Sequence, residues 1–126
     1  MITSIYPVLM STDVTATAGF FRDAFTLETV YETDWYVSLR SGAFELAVVD
    51  AAHETVPAAY RAPAAGVLVN VEVDDVDAEH DRLVARGGAR VALDLRSEAF
   101  GQRHMILVAP GGVLVDVIQP IPVTGD

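Results

Sequence analysis

The sequence predicts an α+β fold made of duplicated βαβββ modules, with mixed sheets forming a concave cleft. Three observations carry that prediction. The order strand, helix, three strands is written twice along the chain. Asp13-Val14 and Asp75-Val76 stand 62 residues apart at the starts of the two helices, and the same offset carries Tyr6 onto Leu68 in the leading strands. Val67, Val69, Val71 and Val73 alternate with Leu68, Asn70 and Glu72, which makes one β-branched face suited to a helix and one mixed face.

The first strand is expected in "SIYPVLMS". The helix follows in "TDVTATAGFFRDAF", where Thr12 or Asp13 caps a run that places Val14, Ala18, Phe21 and Phe25 at helical spacing. Three strands come next, "LETVYE", "WYVSLR" and "FELAVVD", divided by turns at Thr33-Asp34 and Ser41-Gly42. Residues 51–66, rich in alanine with Pro57 and Pro63, have no strand or helix period and read as a connection. Then the order restarts: "VLVNVEV" as a strand, "DDVDAEHDRLVARGG" as an acid-capped helix stopped by glycine, and "RVALDLR", "RHMILVA" and "VLVDVIQ" as strands. Residues 1–126 are therefore expected to form one domain, with modules at 4–50 and 67–120 joined by residues 51–66.

Composition narrows the function. Cysteine is absent, which removes thiolate ligands, cysteine nucleophiles and disulfides together. No charged leader or long apolar run is present, so a cytoplasmic protein with no membrane partner is the expectation. The net charge is −10, and the arginines are scattered one at a time from Arg22 to Arg103. Without a basic stripe to neutralise phosphates, nucleic acid is not an expected partner, whereas the negative field favours a cationic small molecule and also serves solubility.

Asp116 is the residue that most needs explaining. It sits among Val115, Val117 and Ile118 in "APGGVLVDVIQP", where burying an unpaired carboxylate opposes folding by several kcal/mol. A metal ion, an arginine, a ligand or water at a sheet edge would each compensate. Glu45 is a second carboxylate in the last strand of the first module, and either acid pairs with an arginine such as Arg103 or Arg40 or contacts a ligand. Trp35 and Tyr36 adjoin in a predicted strand, so at most one is expected to line a groove. Asn70 is a ligand contact or a solvated edge residue. His104, at the start of the seventh strand, is a surface histidine or else an acid, base or hydrogen-bond donor. His53 falls in the connection and His80 on the second helix; no pair of histidines has metal-motif spacing, and no nucleophile elbow is present.

The duplicated modules, the stretch "FFRDAFTLETVYE" and the closing "FGQRHMILVAPGGVLVDVIQP" resemble the vicinal oxygen chelate superfamily, which groups glyoxalase I, extradiol dioxygenases, fosfomycin-resistance enzymes and bleomycin-resistance proteins. The resemblance spans Ile5 to Pro120. In metal-dependent members, it implies, ligands come from the first and fifth strands as histidine or glutamine, and from the last strand of each module as glutamate. The matching positions here are Tyr6, Leu68, Glu45 and Asp116. Leu68 cannot coordinate a metal, and the Tyr6 phenol must first lose a proton with a pKa of about 10. The family's usual Asp-Pro-Asp-Gly-Asn turn is replaced by Ala109-Pro110-Gly111-Gly112-Val113.

No metal and no cofactor are therefore expected, and the chain is most like the bleomycin-resistance branch, whose members bind a drug without chemistry and form homodimers. The expected function is a non-catalytic, antibiotic-sequestering small-molecule binder that works as a homodimer. Tyr6, Trp35, Glu45, Leu68, Asn70, His104 and Asp116 are its candidate contacts to a polar or cationic guest. The alternative is a metal-dependent lyase, isomerase or dioxygenase using Glu45, Asp116 and a further histidine. A third reading is an accessory subunit whose sheet edges serve assembly. Behind the leading reading stands one geometric expectation, that Glu45 and Asp116 converge in a concavity without the imidazoles needed to cage a cation.

Overall fold

The computed structural model describes residues 1–124 and contains two four-stranded sheets. The first unit, Met1–Ala64, holds β1 (Val8–Ser11), α1 (Val14–Phe25), β2 (Glu28–Glu32), β3 (Tyr36–Ser41) and β4 (Phe44–Asp50), with strand order β1-β4-β3-β2. The second, Ala65–Asp126, holds β5 (Leu68–Glu72), α2 (Val76–His80), β6 (Val91–Glu98), β7 (Gln102–Val108) and β8 (Leu114–Pro120), in the order β5-β8-β7-β6. In both, the first and last strands pair in parallel and the other neighbours antiparallel, so the predicted α+β duplication is a property of the fold.

The helix starts repeat closely. Asp13 (φ −145°, ψ 87°) accepts from the Ala16 amide, and Asp75 (φ −146°, ψ 89°) from the Ala78 amide, each satisfying an otherwise orphaned N–H of the first turn. The helix ends repeat in backbone but not in residue type. Thr26 and Gly88, 62 residues apart, both stop their helices at positive φ, 55° and 70°. Glycine adopts this conformation without strain, whereas a β-branched residue crowds its own carbonyl. Thr26→Gly is therefore expected to stabilise the protein by about 1 kcal/mol, read as a rise in the midpoint of denaturant unfolding; an unchanged or lower midpoint would show that the Thr26 conformation carries no strain.

Packing follows from strand alternation. Helix α1 lies on β3 and β4. It buries Val14, Thr17, Ala18, Phe21 and Ala24, and the alternate strand residues Leu9, Val37, Leu39, Leu46 and Val48 are buried as well. Two hydroxyls within this core, Ser11 and Thr17, satisfy each other at 2.8 Å. Helix α2 lies on β7 and β8. There the Gln119 side chain accepts from the Val76 amide at 3.0 Å, and Arg103 forks onto Asp77 at 2.9 and 3.0 Å.

Most strand boundaries shift by a residue from expectation, and three differences bear on the fold or the site. Strand β1 begins at Val8 rather than Ser4; Pro7 has no N–H to donate, although its carbonyl still accepts from Ala47. The second helix keeps α geometry only to His80 and continues over Asp81–Ala85 with wider π turns. These bring the Leu83 carbonyl within 2.7 Å of where a Cβ on Gly87 would stand, so only glycine fits there. Strand β6 runs two residues past the predicted Arg96, to Glu98, and that extension supplies a site residue. Among the described residues, no helix is long and apolar enough to cross a membrane.

Candidate functional site

Strand register decides which side chains can meet. In the second unit Asn70 stands opposite Asp116, Asp116 opposite Ile106, His104 opposite Ile118 and Arg96, and Gln102 opposite Glu98. Asn70, Asp116, His104, Arg96 and Glu98 therefore share the sheet face opposite the one that carries Arg103 and Gln119.

On this face a linear polar array forms. His104 Nδ1 lies 2.8 Å from Asp116 Oδ1, and His104 Nε2 lies 2.8 Å from Glu98 Oε2, which also accepts from Arg96 Nε at 2.8 Å. Both His104 and Asp116 are only 5% exposed. A neutral imidazole has one donor and one acceptor nitrogen, so with a carboxylate at each end it would set two lone pairs against each other; the imidazolium donates at both. Burial alone would lower the His104 pKa, but the hydrogen bonds and negative charge of Glu98 and Asp116 outweigh it and raise the group above its ordinary value. Hydrogen bonds from His104 and then Arg96 hold the Glu98 carboxyl below its usual range.

His104 thus answers the question that Asp116 raises, and three expectations need correction. The arginines do not pair with the two acids: Arg103 points to the α2 side of the sheet and binds Asp77, while Arg40 lies 3.7 Å from Glu28. Nor does Asp116 occupy a setting free of imidazole. Glu45 and Asp116 are also not repeat-related, because Val8 pairs with Ala47 as Asn70 pairs with Asp116, which makes Ala47 the counterpart of Asp116 and Leu114 that of Glu45.

The metal positions implied by the resemblance do not supply a donor set. Leu68 is a hydrocarbon, 50% exposed, and Asp116 Oδ1 already lies 2.8 Å from His104 Nδ1. Among the described residues no three His, Asp or Glu side chains are grouped to hold a metal ion.

The first unit builds a different kind of site. A hollow of about 470 Å³ is lined by Val8, Tyr31, Trp35, Tyr36, Val49, Thr55 and Val56. Val8, Val49, Tyr36 and Tyr31 share one sheet face through the pairing of β1, β4, β3 and β2. Trp35 and Tyr36 both line it, because Trp35 precedes β3 in a turn where the Thr33 hydroxyl accepts from both of their amides, at 3.3 and 2.9 Å, and strand alternation does not yet apply. Behind Trp35 the His53 ring stacks at 3.6 Å and 5°. The Thr55 amide donates to His53 Nδ1 at 3.2 Å.

Tyr6 and Glu45 belong to this face as well. Tyr6 is 43% exposed just before β1, and Glu45 is exposed on β4, where the Ser4 hydroxyl donates to it at 3.4 Å. Burial first, then the adjacent Tyr6 phenol and Glu45 carboxylate, push the Tyr36 phenol above its ordinary value. The candidates thus fall into two sets. Tyr6, Trp35 and Glu45 belong to the first unit; Asn70, His104 and Asp116 lie together in the second, with Leu68 beside Leu114. Sequence reasoning missed Glu98, which lies beyond the predicted end of its strand, and His53, Thr55 and Val56, which carry no motif.

Linkage gives the array a pH signature. Glu98, with its pKa lowered, stabilises the fold above the ordinary carboxylate value of 4.5 and loses that contribution as pH falls through its lowered value. His104, with its pKa raised, stabilises it fully below 6.5 and loses that contribution as pH rises through its raised value. His104→Gln is expected to cost about 3 kcal/mol at pH 6 by stranding Asp116, with the deficit shrinking as pH climbs through the raised His104 value. Denaturant unfolding across that range reads it out, and a deficit independent of pH would assign His104 to packing alone.

Comparison with known proteins agrees with this architecture. Residues 5–117 match the Glyoxalase/Bleomycin resistance protein/Dioxygenase superfamily. Among solved structures, a lactoylglutathione lyase from Agrobacterium tumefaciens aligns with TM-score 0.73 and 24% identity over 94% of each chain. TioX from Micromonospora sp. ML1 aligns with TM-score 0.71 and 20% identity over 95% of this chain and 100% of that one. A glyoxalase/bleomycin resistance protein/dioxygenase family enzyme from Burkholderia phytofirmans PsJN gives TM-score 0.77 and 16% identity over 92% and 97%. At these identities the likeness is one of fold. No curated protein matches the chain. The chain belongs to the Glyoxalase/Bleomycin resistance protein/Dioxygenase superfamily.

Proposed function

We propose that this superfamily member binds a small molecule without transforming it, and that its role is sequestration, with cationic aromatic antibiotics the favoured guests. The supporting observation is the hollow of about 470 Å³ in the first unit, a size suited to a compact ligand, walled by three aromatic rings and three valines. Its lining offers surface for stacking and no charged or nucleophilic group poised for chemistry. A lyase activity like that named for the Agrobacterium tumefaciens structure finds less support, since Leu68 stands where a metal donor is needed and Asp116 is engaged by His104. A homodimer is part of the same proposal. It rests on the edge strands β1 and β5, where Val8 and Leu68 remain 41% and 50% exposed, and a sedimentation mass of 13.5 kDa rather than twice that would remove it.

Trp35 is the sole tryptophan, so intrinsic fluorescence reports on this wall directly. Titration with a panel of cationic and aromatic antibiotics is expected to quench or shift that emission. At a hundredfold excess over Kd a true ligand should also stabilise the fold by about 2.7 kcal/mol. If no member of the panel alters either the emission or the melting temperature, the sequestering role is lost.

A further inference from the structure

We propose that the aromatic hollow of the first unit holds an alkylated ammonium group, such as trimethylammonium, carried by a small molecule. The inference rests on the binding role proposed for this hollow and names the chemistry of its guest. Tyr36 stands at the centre of a strip of rings. Its centroid is 5.8 Å from that of Trp35 with planes 54° apart, and 6.4 Å from that of Tyr31 with planes 53° apart. Three rings at these mutual inclinations line one hollow, and a ring face turned toward it attracts a cation.

The chemistry of the wall selects among charge types. An anion finds no cationic donor there, because the lining residues are uncharged and Arg40, on the same sheet face, pairs with Glu28. A primary ammonium would bring three N–H donors, for which the lining offers the Tyr31 and Tyr36 phenol oxygens and a Thr55 hydroxyl already bonded to His53 Nδ1 at 2.9 Å; any donor left unpaired there costs free energy. A fully alkylated ammonium has no N–H to satisfy and keeps its charge. Negative charge close by completes the match, since Glu45 lies near enough to the Tyr36 hydroxyl to raise its pKa, and the whole chain carries −10. The hollow has room for the head group and part of the molecule that bears it.

The test compares choline with its neutral carbon isostere, 3,3-dimethylbutan-1-ol, in titrations of Trp35 fluorescence at low ionic strength. Choline is expected to bind at least about tenfold more tightly than the alcohol. Tyr31→Leu, at a side chain 58% exposed, is expected to fold with an unchanged melting temperature and to weaken choline binding about fivefold or more. Equal binding of choline and the alcohol, no response to either, or undiminished choline affinity in the folded Tyr31→Leu variant would each overturn the proposal. If neutral aromatic compounds still quench Trp35 in those cases, the hollow remains a binding site and only the ammonium assignment falls. Silence toward every compound removes both.

Discussion

The buried carboxylate of Asp116 constrains the second unit more than any other single group. It lies in the middle of β8 with Val115 and Val117 fully buried on either side, and in such a place an ionised oxygen without a partner would strongly oppose folding. His104, across β7, places its ring 2.8 Å away with a pKa raised above the ordinary value, and Glu98 and Arg96 extend the row of acid and base outward to the exposed end of β6. Acid, base, acid, base in a row leaves no net charge buried and no ring nitrogen unpaired. The bulges that shift the β6–β7 register between Val91 and Arg96 fit this account, since they bring Arg96 opposite His104 and keep Glu98 within reach of its ring.

That internal pairing has a chemical consequence. A carboxylate already matched by an imidazolium is a poor ligand for a second cation, because the metal would have to displace a proton and a hydrogen bond together. With a leucine at the fifth-strand position, the second unit is organised around its own cation and has little to offer an external one. The first unit, by contrast, spends its unusual residues on surface: Tyr31, Trp35 and Tyr36 lie around a hollow whose lining carries no charged side chain. The two units share a topology and have diverged in chemistry, one into a closed charge relay and the other into an open aromatic wall.

The repeat was legible because it is written in strong local signals. The offset of 62 residues holds from Asp13 and Asp75 at the helix starts to Thr26 and Gly88 at their ends, and the valine alternation of β5 marks its less exposed face. It fails for Glu45 and Asp116, because the stretch between helix end and last strand differs in length between the modules and the offset no longer maps β4 onto β8. Asp116 itself was recognisable as a residue that requires a partner; the partner was not, because His104 and Asp116 meet only through antiparallel register, and Glu98 through an extension of β6 that carries no hydrophobic signal. The wall formed by His53, Thr55 and Val56 was invisible for a related reason. Its shape comes from local bonds around Asp50 and His53, which no periodicity announces.

Whether His104 carries two ring protons is open to direct observation by two-bond 15N–1H correlation of its imidazole in the intact protein. At pH 6.5, where an ordinary imidazole is half protonated, the raised pKa predicts that both nitrogens resonate predominantly as protonated donors. A ring with one bare, acceptor-type nitrogen at that pH would contradict the charge relay and reopen the question of what neutralises Asp116.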